Sequence, residues 1–552
     1  MTTSTLISAE RRVSSNVEAA VDEWRAVLGE DRVIDRAASA RIYGTNTAGV
    51  SRSIPLALTP RNTADVVALM KIAAKHKVPL YPISTGRNWG YGCANPVTDG
   101  CAIVDLSRLN AIVSMDADAG LVTVQPGVTQ RMLAEYLDAH ALPFMVPVTG
   151  AGPDASLLGN AMERGYGLTP TADHFAAVMA LEAVLPDGQI YRSALTEAGG
   201  AQIDGAFKWG VGPYLDGLFA QGNFGIVTQV TLALAPVPER IETFFFSVKD
   251  DAQLEQAVDA VRGILNAVGG VSGSVNLMNA RRMLSMAEPY PANRVAPGQV
   301  MPQAVADELA ALNLIPAWTG VGALYGTAQV VRAARAAIRN VLRPFARRLV
   351  FLTLNEVRLA QKLTAWIPPL RHSRLSGVLE RIEALLLNLS GRPSDIALPL
   401  AYWKSGRRPA AGQPMNPARD GCGLLWYAPL VPMKSERVRS YVAMVERICV
   451  EHGMEPLITL TSLSSRCFDS TVPLLFDKEN PEESARAHAC FDALFKAGQR
   501  EGFLPYRLGV NAMQHLVDPS KPFWQLGAAI KHAVDPDDLI APGRYALQLC
   551  RA

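Results

Sequence analysis

Apolar residues in the first 240 positions follow two different spacings. The run VEAAVDEWRAVLG has helical spacing and ends at a glycine. TADVVALMKIAAKHK also has helical spacing, and Thr63 is its predicted N-cap. Short apolar runs bounded by turn residues predict strands. These runs are LALTP, VPLYPIS, CAIVDL, AIVSMD, GLVTVQPG, AAVMALEAVLPDG and IVTQVTLALAP. The alternation predicts a mixed α/β region.

The pattern changes near residue 237. VPERIETFFFSVKD predicts a new strand, and three long runs with helical spacing follow: DAQLEQAVDAVRGIL, TAQVVRAARAAIRNVL and ERVRSYVAMVERICVEHG. Residues 392–422 are rich in Gly and Pro and predict a long loop. A second domain of α+β type is therefore expected to end near residue 500. The last fifty residues, which contain the helix FWQLGAAIKHAV, are expected to return to the first domain.

Composition indicates a globular protein with a large core. Of the 552 residues, 49% are hydrophobic and 19% are charged, and the net charge of +2 gives no global field that would attract nucleic acid. The seven cysteines form no C-x-x-C pair, no run is long enough to span a membrane, and the N-terminus lacks a signal-peptide core. These features predict a cytoplasmic protein with no membrane association.

One segment departs from that charge balance. Residues 331–381 carry eleven Arg or Lys, Arg371 among them, against two Glu. A solvated helical face accounts for such a segment, and so does a surface that docks a partner or an anionic membrane.

The loop PISTGRNWGYGCANP follows a predicted strand and contains Gly86, Gly90 and Gly92. Glycine lets backbone N–H groups approach a phosphate closely, and Arg87 adds positive charge, so the loop is a candidate for pyrophosphate binding. An ordinary glycine-rich connection is the alternative. A dinucleotide fingerprint also occurs at TGAGPDAS, but the short helix after it and the missing βαβ unit argue against a Rossmann site.

Three further places offer polar chemistry. LPYRLGV puts Tyr506 beside Arg507 on a predicted strand, where they could bind an anionic oxygen or belong to an exposed edge. Asp154 offers a carboxylate for acid/base work, and His174 follows TPTAD; any loop residue of these types would look the same. No metal-binding or serine-nucleophile motif is present.

The order of these segments resembles the vanillyl-alcohol oxidase and 4-cresol dehydrogenase family of FAD flavoproteins. The segments are PISTGRNWGYG, VQPGVT, GNAMERGYGLTPTADHF, FKWGVGPYLDGLFAQGNFGIVTQV, FDKENPEESARAHACFDALF, YRLGV and HAVDPDDLIAPGR, which cover nearly the whole chain. The resemblance implies a two-domain α+β fold. Residues 1–240, completed by 502–552, would bind FAD, and residues 241–501 would form an α+β cap over the flavin.

The resemblance also implies which residues bind FAD. The set is Ser84, Thr85, Gly86, Arg87, Asn88, Trp89, Gly90, Tyr91, Gly92, Asp154, Gly159, Asn160, Gly165, Gly167, Gly225, Ile226, Val227, Tyr402, Arg507 and Arg544. Tyr91, Tyr506 and Arg507 match residues that bind the substrate as a phenolate. Asp154 matches a carboxylate near flavin N5 and is assigned as base or water activator.

Several positions depart from the family pattern. Thr171 replaces a tyrosine that supports the active-site carboxylate, and Phe468 and Thr459 stand where cresol dehydrogenases carry a histidine and a glutamate. Both positions for covalent flavin attachment are changed: Gly423 and Leu424 replace one tether, and Ala401 replaces the other. Non-covalent FAD is therefore predicted, with Tyr402, one residue away, as the alternative tether.

Three functions fit these residues. The first is oxidation of a para-substituted phenol, a 4-alkylphenol or 4-hydroxybenzyl alcohol, through a p-quinone methide. The second is oxidation of a non-phenolic alcohol or a natural-product intermediate by the same fold. The third is an inactive FAD-binding scaffold. The resemblance implies a small aromatic substrate, O₂ or a cytochrome as electron acceptor, and a homodimer.

Overall fold

The computed structural model describes residues 3–367, 374–410 and 412–547. Helices and sheets both contribute, which confirms the predicted α+β class with an FAD-binding region and a cap. None of the helices in these ranges is long and apolar enough to cross a membrane. No disulfide links cysteines within the same ranges.

The first sheet lies near the N-terminus with three helices. Its elements are α1 Thr3–Leu28, β1 Val33–Ile34, α2 Arg36–Tyr43, β2 Ala57–Leu58, α3 Thr63–His76, β3 Leu80–Ile83 and β4 Ala102–Asp105. The strand order is β1-β2-β4-β3, and β2, β4 and β3 are parallel because α3 crosses over between β2 and β3. The parallel sheet directs the chain after β3 into the glycine-rich loop.

A five-stranded antiparallel sheet follows, in the order β5-β6-β10-β8-β9. Val122, Val178 and Val230 bury one face of it against helices. The elements of this region are β5 Ile112–Asp116, β6 Leu121–Val124, α4 Gln130–Ala139, β7 Phe144–Met145, α5 Leu157–Met162, β8 Val178–Val184, β9 Ile190–Arg192, α6 Ala194–Glu197, α7 Ala201–Asp204, β10 Ile226–Ala233 and β11 Ala235–Pro236.

The cap region is built on an antiparallel sheet whose strands do not follow chain order. Their order is β15-β12-β14-β13-β18-β19-β16, and β17 pairs with β19. Its strands are β12 Arg240–Val248, β13 Ser272–Asn279, β14 Trp318–Gly326, β15 Arg348–Leu352, β16 Cys422–Tyr427, β17 Leu430–Pro432, β18 Thr459–Ser464 and β19 Cys467–Asp477. Gly320 and Gly322 on β14 leave room for the rings of Phe246 and Phe244 on β12. The two phenylalanine rings fill the space left by the two glycines, so the centre of the sheet is closely packed.

Helices cover the cap sheet. They are α8 Leu254–Val268, α9 Ala280–Ala287, α10 Gln303–Leu312, α11 Ala328–Leu342, α12 Leu354–Trp366, α13 Arg374–Leu389, α14 Ser435–Glu451 and α15 Pro481–Glu501. Part of the basic segment 331–381 is structural: Arg335 pairs with the buried Glu242 at 3.0 Å and lies over the Phe351 ring. Arg371 lies outside the described residues, and a partner for this segment stays a prediction.

The C-terminal segment returns to the first sheet. After α16, Pro522–Val534, the Leu80 N–H donates to the Leu539 carbonyl, and the Ala541 N–H donates to the Leu80 carbonyl. Lys531 fastens the turn from within: its buried Nζ contacts Asp535 at 2.5 Å and the Asn223 carbonyl at 2.7 Å. These contacts place residues 539–544 beside β3, although the domain limits at 240 and 502 stay a prediction.

Element bounds differ from the sequence predictions in identifiable ways. Thr63 is the first residue of α3, and the N-cap is Asn62, whose side chain accepts the Asp65 N–H. Helix α1 begins at Thr3, well before the predicted start. Among the described residues of the predicted loop before β16, residues 392–410 and 412–421, the only helix is a short turn of 3₁₀ helix, Leu398–Tyr402, as the Gly and Pro content of the segment predicts.

Candidate FAD and substrate site

A cavity of about 410 Å³ lies between the first two sheets and the cap sheet. The loop after β3, helix α5, the start of β10 and the C-terminal segment line it from one side. Residues 397–401 and strands β16 and β19 line it from the cap. Every large structural unit of the protein therefore contributes to one site.

The glycine-rich loop supplies unpaired backbone donors. Residues 85–89 line this cavity, and their N–H groups donate to no acceptor among the described residues. Gly86, Gly90 and Gly92 have φ values of 66°, 75° and 117°, which favour glycine. A Cβ on Gly90 would collide with the indole of Trp426. Five consecutive free N–H groups are suited to a diphosphate.

Helix α5 begins next to this loop. Ser156 caps it by accepting the Gly159 N–H at 2.9 Å, and a Cβ on Gly159 would collide with Ser84 Oγ. The Asn160 side chain lines the cavity and is hydrogen-bonded to Nδ1 of His174 behind it. Burial lowers the pKa of His174 to about 4, so the imidazole is neutral and acts as a support for Asn160.

Two arginines share one carboxylate in the cavity wall. Arg544 Nη2 bonds Glu163 Oε1, and Arg507 Nε lies 3.3 Å from Glu163 Oε2. Burial alone would raise the pKa of Glu163, but the two guanidinium groups outweigh it and lower the pKa. Glu163 is therefore ionised, and the three groups together carry one positive charge.

Arg507 is also held against Tyr91. Its guanidinium carbon lies 4.3 Å from the centroid of the Tyr91 ring, and Nη2 donates to Asn88 Oδ1 at 2.5 Å. The Tyr506 ring packs edge-on against Tyr166 with centroids 5.6 Å apart. Burial raises the pKa of both Tyr91 and Tyr506 above the ordinary value, so both hydroxyls stay protonated and can donate hydrogen bonds.

Asp469 brings a buried carboxyl group to the cavity from the cap. It lies on β19, where alternate side chains face the cavity: Asp469 and Thr471 line it, while Phe468 packs in the core. Burial raises the pKa of Asp469 to about 8, although Arg507 opposes the shift. Its Oδ1 atom has no hydrogen-bond partner among the described residues. A carboxyl group with this pKa can both release and accept a proton near neutral pH.

Most predicted site residues meet at this cavity. Those that line it are Ser84, Thr85, Gly86, Arg87, Asn88, Trp89, Tyr91, Gly159, Asn160, Gly165, Gly225, Val227, Tyr506, Arg507 and Arg544. Gly90, Gly92, Gly167 and Ile226 do not line it but pack behind it: a Cβ on Gly92 would meet Val510, and Ile226 is fully buried.

Asp154 is not brought into the cavity. Its side chain is 44% exposed. The carboxylate pairs with Arg131 at 3.1 Å, and Arg87 lies 4.0 Å from it. Neighbouring Gly150 and Ala151 line the cavity instead, because the loop turns Asp154 outward. The structure thus places Asp154 outside the set of residues that line the cavity with Tyr91, Tyr506 and Arg507, and its role as base or water activator stays a prediction.

Tyr402 is also turned away. Its hydroxyl donates to Asp420 Oδ2 at 2.7 Å, and burial raises its pKa above the ordinary value. Ala401 lines the cavity in its place. Thr171 and Thr459, two of the departures from the family pattern, do not line the cavity either.

Sequence reasoning missed three of the site's charged groups: Glu163, Arg282 and Asp469. Asp469 gives a sequence signal, since it is a lone acid in the apolar strand CFDSTVPLLF. Glu163 and Arg282 give none, because each becomes a cavity residue only when distant segments pack together. Arg282, on α9 of the cap, also lines the cavity.

Comparisons with known proteins point to one cofactor. Residues 54–194 match the family described as FAD binding domain. The chain is 36% identical over 530 residues to 1'-carboxy-chondrochloren decarboxylase of Chondromyces crocatus, covering 96% of this chain and 97% of that protein. It is 29% identical to the 4-cresol dehydrogenase (hydroxylating) flavoprotein subunit of Pseudomonas putida, covering 96% and 95%.

Among solved structures, p-cresol methylhydroxylase with substrate bound superimposes with a TM-score of 0.84 at 28% identity, covering 97% of both chains. The predicted FAD cofactor is thereby confirmed, and the chain is an FAD-dependent oxidoreductase of the p-cresol methylhydroxylase type. The free N–H groups of residues 85–89 fit this cofactor.

Proposed function

The chain belongs to the vanillyl-alcohol oxidase and 4-cresol dehydrogenase family of FAD-dependent oxidoreductases, and on that premise we propose that it oxidises a para-substituted phenol at the benzylic carbon. One observation carries the proposal: Tyr91, Tyr506 and Arg507 line one cavity together with a buried carboxyl group, Asp469. Two hydroxyl donors and a guanidinium are the groups that would bind a phenolate oxygen.

The charges of the site favour the phenolate over the phenol. Arg507, Arg544 and Glu163 leave one positive charge, which a phenolate neutralises. We assign to Asp469, in its ionised form, the proton released as the phenol ionises; because its pKa is about 8, that form increases as the pH rises toward 8. In its protonated form Asp469 does not repel the phenolate.

FAD, when bound, supplies the acceptor for a hydride. The protein's part is to increase electron donation through the ring, since a phenolate pushes electron density toward the para carbon and lowers the barrier to hydride loss there. Removing the hydride from the benzylic carbon leaves a p-quinone methide. Addition of water then gives an alcohol, and loss of a proton gives an alkene.

We also propose that FAD is held without a covalent bond. Ala401 offers no nucleophile in the cavity wall, and the Tyr402 hydroxyl is engaged with Asp420. The acceptor that reoxidises the flavin, O₂ or a cytochrome, the homodimer and the cytoplasmic location stay predictions.

A second candidate function is oxidation with loss of carbon dioxide. It is favoured by the similarity to 1'-carboxy-chondrochloren decarboxylase along almost the whole chain. In a substrate with a carboxylate on the carbon next to the benzylic carbon, hydride removal gives a quinone methide. The electron pair of the C–CO₂⁻ bond can then form the alkene while the ring regains its phenolate, and carbon dioxide leaves.

The test is anaerobic reduction of the enzyme-bound flavin, followed by its absorbance. Ligands are 4-alkylphenols and 4-hydroxybenzyl alcohols, each paired with its O-methyl ether, and acids carrying a ¹³C-labelled carboxylate. We expect bleaching by the free phenols only, and an Arg507→Ala variant about 10² to 10³ times slower. Release of ¹³CO₂ would favour the second function.

Two outcomes would contradict the proposal. Equal bleaching by phenols and ethers would show that no phenolate is required. Bleaching by phenols that is unchanged in Arg507→Ala would remove the guanidinium from the mechanism. Arg294→Ala, which removes an exposed arginine of the cap, is the matched control.

A further inference from the structure

Four arginines line the cavity, and one of them has no carboxylate partner. Arg507 and Arg544 share Glu163, and Arg87 lies 4.0 Å from Asp154. Arg282 has no acidic group within 4.0 Å among the described residues. Its Nη1 donates to the Ser285 hydroxyl at 3.1 Å, and its Nε is buried without an acceptor.

The adjacent arginine, Arg281, shows that hydrogen-bond acceptors are available to side chains on helix α9. Arg281, also on α9, pairs with Glu455 at 2.7 Å and donates to the Met301 carbonyl at 2.9 Å. Arg281 thus joins α9 to the rest of the cap. Arg282 is turned the other way, toward the cavity, and is held there by Ser285 and by its place in the first turn, where its N–H donates to Asn279.

Arg282 remains charged in this position. Burial lowers the pKa of Arg282 to about 10, which is still well above neutral pH. Several apolar residues line the cavity from the cap together with Arg282, namely Leu398, Leu400, Ala401 and Leu424. A charge next to apolar groups is poorly solvated, so the free protein carries a guanidinium that a buried anion would stabilise.

We propose that Arg282 binds a carboxylate on the side chain of the substrate. This inference rests on the proposed function, and it narrows the substrate class from neutral 4-alkylphenols to 4-hydroxyphenyl acids. The planar guanidinium offers paired N–H donors that match a carboxylate. Tyr91, Tyr506 and Arg507 would hold the phenolate end, while Arg282 holds the acid end from the cap.

The FAD diphosphate is the other anion that the cavity accommodates. The free N–H groups of residues 85–89, with Arg87 beside them, already provide donors for it on the opposite structural unit. The substrate carboxylate is therefore the anion that lacks a partner elsewhere. Measuring FAD content separates the two sources.

The experiment uses FAD-loaded protein and four ligands that vary two groups independently. They are 4-propylphenol, 3-(4-hydroxyphenyl)propanoate and the O-methyl ether of each. Dissociation constants are measured by anaerobic equilibrium dialysis after the bound FAD has been reduced with dithionite, so that no hydride is transferred, for the wild type, Arg282→Met, Arg282→Lys and the surface control Arg294→Met.

We expect the wild type to bind each acid about 10 to 100 times more tightly than its neutral counterpart, the range of a charged hydrogen bond. In Arg282→Met the ratio of the two affinities should fall to about one. Arg282→Lys should retain part of the preference for the acid, and Arg294→Met should retain all of it. All four proteins should purify with the same FAD content.

Equal binding of acids and neutral ligands by the wild type would overturn the inference, and so would an acid preference that survives in Arg282→Met. Loss of FAD from Arg282→Met with the acid preference retained would assign the arginine to the diphosphate. If phenols show no advantage over ethers while the acid ether still depends on Arg282, the phenol proposal fails and the carboxylate anchor stands.

Discussion

The arginines on the two walls of the cavity differ in whether a carboxylate of the chain pairs with them. On the wall of the FAD-binding region, Arg507 and Arg544 share Glu163, and Asn88 and Tyr81 complete their contacts. On the cap wall, Arg282 has a serine hydroxyl and no carboxylate among the described residues. A charge whose counter-ion lies in the chain supports the fold, whereas a charge without one marks a place where the ligand is expected to supply it.

The largest expected effect comes from removing the shared carboxylate. Glu163→Gln leaves two buried guanidinium groups without a counter-ion, and we expect the free energy of unfolding to fall by about 3–5 kcal/mol. Urea denaturation of the FAD-loaded protein measures it. Glu308→Gln, in an exposed pair with Arg294, is the control and should change stability far less. Equal losses in both variants would mean that burial of the network is unimportant.

Asp469 should make stability depend on pH. Its pKa of about 8 exceeds that of the unfolded chain, near 4, so the folded protein holds the extra proton between these values. This contribution is fully present below pH 4 and is lost as pH rises toward 8, at up to about 1.4 kcal/mol per pH unit. Denaturation of the wild type and Asp469→Asn from pH 5 to 8.5 should show a shallower decline in the variant.

Asp154→Asn is the matched control for the proton-transfer role of Asp469, since Asp154 is half-exposed and paired with Arg131. It should slow flavin reduction far less than Asp469→Asn. If Asp154→Asn slowed flavin reduction more than Asp469→Asn, proton transfer would be assigned to Asp154 instead.

Replacing Arg282, which has no carboxylate partner, should change the free energy of unfolding in the opposite direction to replacing Glu163. Arg282→Met replaces a buried charge with an apolar side chain of similar length, and we expect it to stabilise the ligand-free, FAD-loaded protein by about 1 kcal/mol. Thermal unfolding measures the change. A loss of stability would show that Arg282 has a structural role that its contacts do not reveal.

The smallest effect is expected at Tyr402. Tyr402→Phe removes the hydrogen bond to Asp420 and should cost about 1 kcal/mol, without changing flavin attachment. Acid precipitation should release FAD from both the wild type and the variant. Flavin that stays with the precipitated wild type but not with the variant would establish a tether.

Local sequence was enough for the elements that depend on neighbouring residues. The spacing of apolar residues predicts α3, α11 and α14, and the glycines after β3 predict the loop that presents free N–H groups. It misplaced the cap of α3, because Asn62 and Thr63 are both good capping residues and only the backbone conformation distinguishes them. The outward direction of the Asp154 side chain was not predictable for a similar reason, since a glycine-rich loop does not fix which way its side chains point.

The sequence by itself determined the two types of region, the glycine-rich loop after β3, the adjacency of Tyr506 and Arg507 and the resemblance to a family of FAD enzymes. Only the tertiary structure decided that Glu163 serves two arginines, that Asp469 rather than Asp154 faces the cavity, and that Arg282 is left without a counter-ion. The reason is physical. Charge pairing and pKa depend on distance and burial, and these are set by segments that lie hundreds of residues apart in the chain.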